Sequence, residues 1–167
     1  SLLIGVSFGC KVGADDPVSL ASRDSRLLGD WKLTALVDST INISILGTNV
    51  TSVSYNGTVL ISISTSFGTS VESYALQVSI AKGGVLTTVE TRNGDVATYQ
   101  DYWEWFGTDK NKSQVLLNDG SKAEGLWDVQ RLANKELILS RHTMETYISG
   151  GATSSSERTT RLTFEAI

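Results

Sequence analysis

The stretch Leu27-Leu28-Gly29-Asp30-Trp31-Lys32-Leu33-Thr34-Ala35-Leu36-Val37 decides the fold. A short polar, helix-like lead-in reaches a glycine, and a tryptophan then opens a run with apolar residues at every second position. Trp31, Leu33, Ala35 and Val37 fall on one face, Lys32, Thr34 and Asp38 on the other. Side chains on a strand alternate between two faces, so this is the pattern of a half-buried strand. Gly29 carries no Cβ and lets the chain pass sharply from helix to strand. The run reads as the first strand of an antiparallel barrel, with Trp31 plugging its floor.

Beyond it the chain is a succession of hairpins. Asn56-Gly57, Lys82-Gly83-Gly84, Asn93-Gly94, Asp119-Gly120 and Gly150-Gly151 separate runs rich in Val, Ile, Thr and aromatic residues. Asn-Gly and Asp-Gly supply the positive φ values that two-residue hairpin turns demand. Val59, Ile61 and Ile63 fall on alternate positions, with Ser at 62 and 64, as Tyr74, Leu76, Val78 and Ile80 alternate with polar or small residues. Leu162 and Phe164 mark the inner face of the last strand. Before Gly29, Asp16-Pro17 can start a short helix with Val18, Leu20, Leu27 and Leu28 on its apolar side. The sequence therefore predicts an all-β protein, an antiparallel up-and-down barrel of about 8–10 strands with a short N-terminal helix. A β-sandwich is the competing architecture.

Composition narrows the function. The 167 residues suit one domain, and with 40% hydrophobic and 19% charged residues the chain is globular. A net charge of -4 without any basic run argues against nucleic-acid binding, which needs clustered Lys and Arg. The single cysteine rules out an internal disulfide and any multi-cysteine metal site.

That cysteine, Cys10, closes an apolar run, Ser1 to Gly9, too short to span a bilayer. The run resembles the end of a secretory signal peptide, and Ser7-Phe8-Gly9-Cys10 resembles a lipobox, whose cysteine is lipidated. The expected organisation is a signal-peptide remnant over 1–10, a tether over 11–17 and a barrel domain over 18–167. Asp15-Asp16, just behind Cys10, resembles a surface-export signal of some Gram-negative bacteria; a solvated linker explains it equally.

Aromatic residues concentrate in Tyr99-Gln100-Asp101-Tyr102-Trp103-Glu104-Trp105-Phe106. On a strand Tyr99, Asp101, Trp103 and Trp105 share one face, with Trp127 as a neighbour from a later strand. Indoles offer a flat apolar surface with one N–H, suited to a sugar ring or an apolar ligand. The same residues could instead fill the interior of a small barrel. His142, the only histidine, shares a strand face with Ser140 but has no assignable acid partner. Asp101 and Glu104 face opposite ways, which argues against a local glycosidase pair. No catalytic residue, metal site or cofactor is expected, and the chain reads as a non-enzyme.

Gly-Asp-Trp opening the first strand after a lead-in helix, followed by hairpins, resembles the lipocalin-like (calycin) proteins, whose first strand carries a Gly-x-Trp motif. Leu28-Gly29-Asp30-Trp31-Lys32-Leu33, with Cys10 and its acidic tether upstream, is most similar to the bacterial lipocalin-like lipoproteins. Core lipocalins carry an arginine near the end of the last strand that packs across the motif tryptophan. Here, with Trp31 opposite residue 166, Arg161 falls near Leu36 and out of phase with Leu162 and Phe164. Phe164 or Ile167 is expected against Trp31 instead, so the chain resembles the looser lipocalin-like group more than the core lipocalins.

The resemblance implies a protein anchored by lipid to the outer membrane or cell surface of a Gram-negative bacterium. Its barrel would hold a small apolar or amphipathic molecule, with Trp103, Trp105, Tyr99 and Trp127 as ligand-binding residues and Gly29 and Trp31 building the floor. The alternative is a glycan-binding or adhesion accessory with an exposed aromatic patch and a filled interior. Expected partners are the small molecule or a glycan, the membrane through the anchor only, or another surface protein.

Overall fold

A computed structural model of the chain describes residues 22–107, 112–118, 125–149 and 152–167. Cys10, the 11–17 tether, the helix start expected at Asp16-Pro17 and the Asp119-Gly120 and Gly150-Gly151 turns lie outside these residues. One short helix, α1 (Arg23–Leu27), precedes ten strands. They are β1 (Gly29–Ser44), β2 (Gly47–Tyr55), β3 (Val59–Ser64), β4 (Gly68–Ile80) and β5 (Val85–Arg92). Then follow β6 (Asp95–Trp105), β7 (Gln114–Asn118), β8 (Gly125–Leu132), β9 (Glu136–Ser149) and β10 (Ala152–Ala166). Each strand pairs antiparallel with the next, and β10 closes on β1. The architecture is the expected closed barrel, not a sandwich.

The two ends of the barrel differ. At the floor, Gly29 to Lys32 of β1 pair with Ile80 to Gln77 of β4. Higher up, Leu36 to Ser44 pair with Tyr55 to Gly47 of β2. The β2–β3 hairpin is thus inserted between β1 and β4 only in the upper part, so the floor is eight-stranded and the body above it ten-stranded.

β1 changes partners at a bulge between Leu33 and Ala35. A bulge adds one residue and reverses the facing of everything after it. Trp31 and Leu33 point inward as the alternation requires, but beyond the bulge Leu36 and Asp38 take the inward phase and Val37 is exposed. The expectation that Ala35 and Val37 share the face of Trp31 is corrected accordingly. The same bulge moves the partner of Arg161 from Leu36 to Val37, while Trp31 lies opposite Ala166 as anticipated. Arg161 is exposed and Phe164 is buried in the cluster that contains Trp31.

β3 supplies a second correction. Its alternating Val59, Ile61 and Ile63 face outward, and the buried residue is Leu60, which pairs with the inward Tyr55. On β4 the even residues Tyr74, Leu76, Val78 and Ile80 are all buried, as expected. Asn93 (φ 52) and Gly94 (φ 92) form a two-residue turn between Arg92 and Asp95, the left-handed pair that Asn-Gly favours.

The helix is a floor cap. Ser22 serves as its N-cap, with Ser22 Oγ accepting from the Ser25 N–H at 3.2 Å. Five residues cannot hold a helix alone; docking does. Leu27 is fully buried, the Trp31 indole N–H donates to the Leu27 carbonyl at 2.9 Å, and Arg26 Nη1 donates to the Leu132 carbonyl at 2.8 Å. Gly29 follows with φ 140, and a Cβ there would meet nothing, so its backbone conformation and not crowding favours glycine.

Candidate functional site

Of the four aromatic residues expected to bind ligand, the structure places two at the floor. Trp103 and Trp105 face inward near the lower end of β6, edge to face at 6.3 Å. The Trp103 N–H donates to the Ala81 carbonyl at 2.8 Å, and the Trp105 N–H donates to Asp24 Oδ1 of the helix at 2.6 Å. Arg23 and Lys112 lie over the Trp105 ring at 6.0 and 5.8 Å. Three of the chain's four tryptophans therefore spend their N–H on the floor and its cap. Tyr99 is half-buried higher on the same strand.

Lys112 also hydrogen-bonds and pairs with Asp24. This bond, together with the Trp105 N–H, holds the Asp24 carboxyl below its usual value despite partial burial, which alone would raise it. A carboxyl lowered in the folded state stabilises that state above its unfolded pKa of about 3.9 and loses the contribution as pH falls through the lowered folded value. The helix cap is expected to stay docked at pH 5 and to loosen only below about pH 4. An acid titration of tryptophan emission checks this: the transition should be present in the native chain and absent in Asp24→Asn, which keeps an acceptor for Trp105 but does not titrate.

The fourth tryptophan marks the site. Above the core lies a cavity of about 210 Å³. Leu36, Val53, Leu60, Leu76, Trp127 and Leu162 form its apolar wall; Asp38, Glu72, Arg92, Arg141, Arg158 and Thr160 supply a charged and polar collar. On β1, β10 and β9 the change of chemistry follows the register. Leu36, Leu162 and Leu139 lie in one row across β1, β10 and β9, and Asp38, Thr160 and Arg141 in the next inward row.

The collar is held by specific contacts. Asp38, only 6% exposed, accepts from Arg158 Nε at 2.8 Å and from the Thr160 hydroxyl at 2.5 Å. Arg92 pairs with Glu72 at 3.4 Å and with Glu90 at 3.6 Å, and lies over the Tyr74 ring at 5.6 Å. Arg141 stacks on Trp127 at 4.7 Å. Burial, reinforced by Glu90, pushes the Tyr74 hydroxyl far above its usual pKa, so it remains a donor to Glu90. Tyr55 packs edge to face on Tyr74 at 5.5 Å, and its buried hydroxyl has no hydrogen-bond partner among the described residues.

Chemically, the cavity can bury a small apolar body against Trp127 and the leucines while offering guanidinium donors and carboxylate acceptors to a polar head. None of the charged collar residues stands out in the sequence as a ligand site. Their signal is phase: Glu72 shares the even positions of Tyr74 and Leu76, and Glu90 and Arg92 continue the inward series of Leu86 and Thr88. His142, on the outer face, pairs with Glu157 at 3.0 Å. Among the described residues no group of three His, Cys, Asp or Glu side chains is placed to hold a metal, and no helix is long and apolar enough to cross a membrane.

No protein-family model, curated protein or solved structure matches this chain.

Proposed function

We propose that this chain is a lipocalin-like binding protein that holds a small amphipathic molecule in its barrel, tethered by a lipidated Cys10 at the outer membrane or cell surface. The observation that carries the reading is the 210 Å³ cavity with an apolar wall and a charged collar. Its volume sits just under the roughly 300–1,000 Å³ of most small-molecule pockets, which favours a compact ring or short chain over a sterol or a full-length fatty acid. Burial of the apolar body supplies affinity, and the arginine and carboxylate collar orients the head. The anchor and address rest on the apolar run before Cys10 and the polar run after it.

A second reading has one observation of its own. Tyr102, Trp103, Glu104 and Trp105 border an open groove beside Gly83 and Gly84, a surface on which a glycan ring could stack.

Tryptophan emission of the full chain, titrated with short-chain and ring carboxylates, long-chain fatty acids, sterols, haem and oligosaccharides, separates the two. Trp127 lies in the cavity wall, so saturable change with the compact amphiphiles is expected. A response to oligosaccharides alone favours the groove. Silence toward every apolar and amphipathic compound would sink the cavity reading.

A further inference from the structure

Among the described residues the barrel is not complete above the row of Asp38, Thr160 and Arg141. β5 ends at Arg92, paired with Asp95, and β8 reaches only Ser140 of β9. Six adjacent strands, β9, β10, β1, β2, β3 and β4, continue upward as a curved wall. In an antiparallel meander the β1–β2, β3–β4 and β9–β10 turns all lie at that end.

Among the described residues, exposed apolar side chains stand at or beside these turns. Ile45 and Leu46 form the two-residue turn of β1–β2 and are 77% and 94% exposed; Phe67, in the β3–β4 turn, is 90% exposed; Ile148, at the end of β9, is 77% exposed. Two-residue turns ordinarily take Asn, Asp and Gly, so an Ile-Leu pair there is not explained by turn chemistry. Nor does folding use it, since these side chains bury almost nothing.

Charge completes the pattern. From Ser39 to Val71 the sequence contains no Asp, Glu, Lys, Arg or His, and none occurs from Thr146 to Ser156. The wall is also inverted relative to the floor. Ile43, Val50, Ile63 and Val71 point outward and are exposed, while their strand neighbours toward the interior are Thr, Asn and Ser and, beside Val71, Glu72. Apolar outside and polar inside is the alternation of strands that meet lipid.

We infer that this end of the barrel docks on a lipid surface, with Ile45, Leu46, Phe67 and Ile148 entering the headgroup–acyl boundary. The graded order along the hairpins favours lipid over another occupant: apolar tips, then neutral Ser, Thr and Asn, then charges. At roughly 3.3 Å per residue, Glu145 stands about 10 Å behind Ile148, and Glu72 and Asp38 stand farther behind their tips. Penetration of about 5–10 Å, usual for interfacial segments, therefore leaves the charges of these three hairpins outside. It also leaves the upper edge of β4, unpaired above Arg92 among the described residues, at headgroup level, where water and headgroups satisfy it; deeper insertion would not. A second copy of the chain would need a broad, self-complementary patch, and separate tips do not form one.

The test uses the full chain carrying Phe67→Trp and neutral phosphatidylcholine vesicles with a nitroxide on the upper acyl chain. Emission from the added tryptophan should shift to the blue and be quenched beyond the level of the parent chain, equally at low and high salt because no charge is involved. Adding Leu46→Asp should weaken vesicle binding by about ten-fold or more, whereas Ile167→Asp, at the opposite end, should not. Both positions are exposed, so thermal unfolding should be unaltered. The inference is overturned if the tip tryptophan keeps the emission of a solvated indole with vesicles present. It is equally overturned if the blue shift appears with protein concentration alone, which would identify a second copy as the occupant.

Discussion

Trp31→Ala is expected to destabilise the protein by about 3–5 kcal/mol, the usual range for removing a fully buried tryptophan. Trp31 is 2% exposed and stands where the floor closes, opposite Val78 of β4 on one side and Ala166 of β10 on the other. Truncation forfeits its packing and leaves a cavity between strands whose pairing makes the floor a barrel. It also removes the N–H that satisfies the Leu27 carbonyl at the end of the cap, so the helix should lose protection as well. For a chain of this size the loss corresponds to a fall in Tm of about 6–20 °C. Urea unfolding measures the first effect and amide exchange over residues 23–28 the second. A loss under about 1 kcal/mol would mean that Trp31 packs loosely, against its burial.

Trp127→Ala should cost a similar amount, about 3–5 kcal/mol, with a different functional consequence. Its indole is 1% exposed, forms part of the cavity wall and carries Arg141 on its face. Removing it enlarges the cavity downward and frees the guanidinium from the ring that positions it. Binding should shift from compact amphiphiles toward bulkier ones, and the size preference across a homologous carboxylate series reads this directly. Phe164→Ala provides the comparison: that ring is buried in the core but does not line the cavity. It should lower stability without moving the size preference. Equal shifts in both variants would assign the effect to general loosening.

How much of this was legible in the sequence depends on what alternation can say. The floor was readable because Trp31 and Leu33, the even residues of β4, and Leu162 with Phe164 form unbroken period-2 series with one clear inner face. β3 was not, because alternation of Ile with Ser reveals two faces but not which lies inside. The register through the Asn56-Gly57 turn settles it, placing Leu60 beside Tyr55. In β1 the run Ala35-Leu36-Val37 is apolar on both phases, so a bulge leaves no mark there. The collar was unreadable as a motif because Asp38, Glu72, Arg92, Arg141 and Arg158 come from five different strands. The tryptophans of β6 were visible as a cluster, but only the contacts of Asp24 and Ala81 reveal that their N–H groups hold the floor.

The measurement that bears most directly on the cavity is calorimetric titration of the full chain with the tightest compact amphiphile, compared with Ser62→Phe. Ser62 lines the cavity from β3 on the opposite side from Trp127, and a phenyl ring there would occupy the space while leaving the core below untouched. One-to-one binding by the native chain, weakened by about ten-fold or more in a variant of unchanged thermal stability, is the expected result. Equal affinity in the two proteins would place the ligand elsewhere and contradict the account.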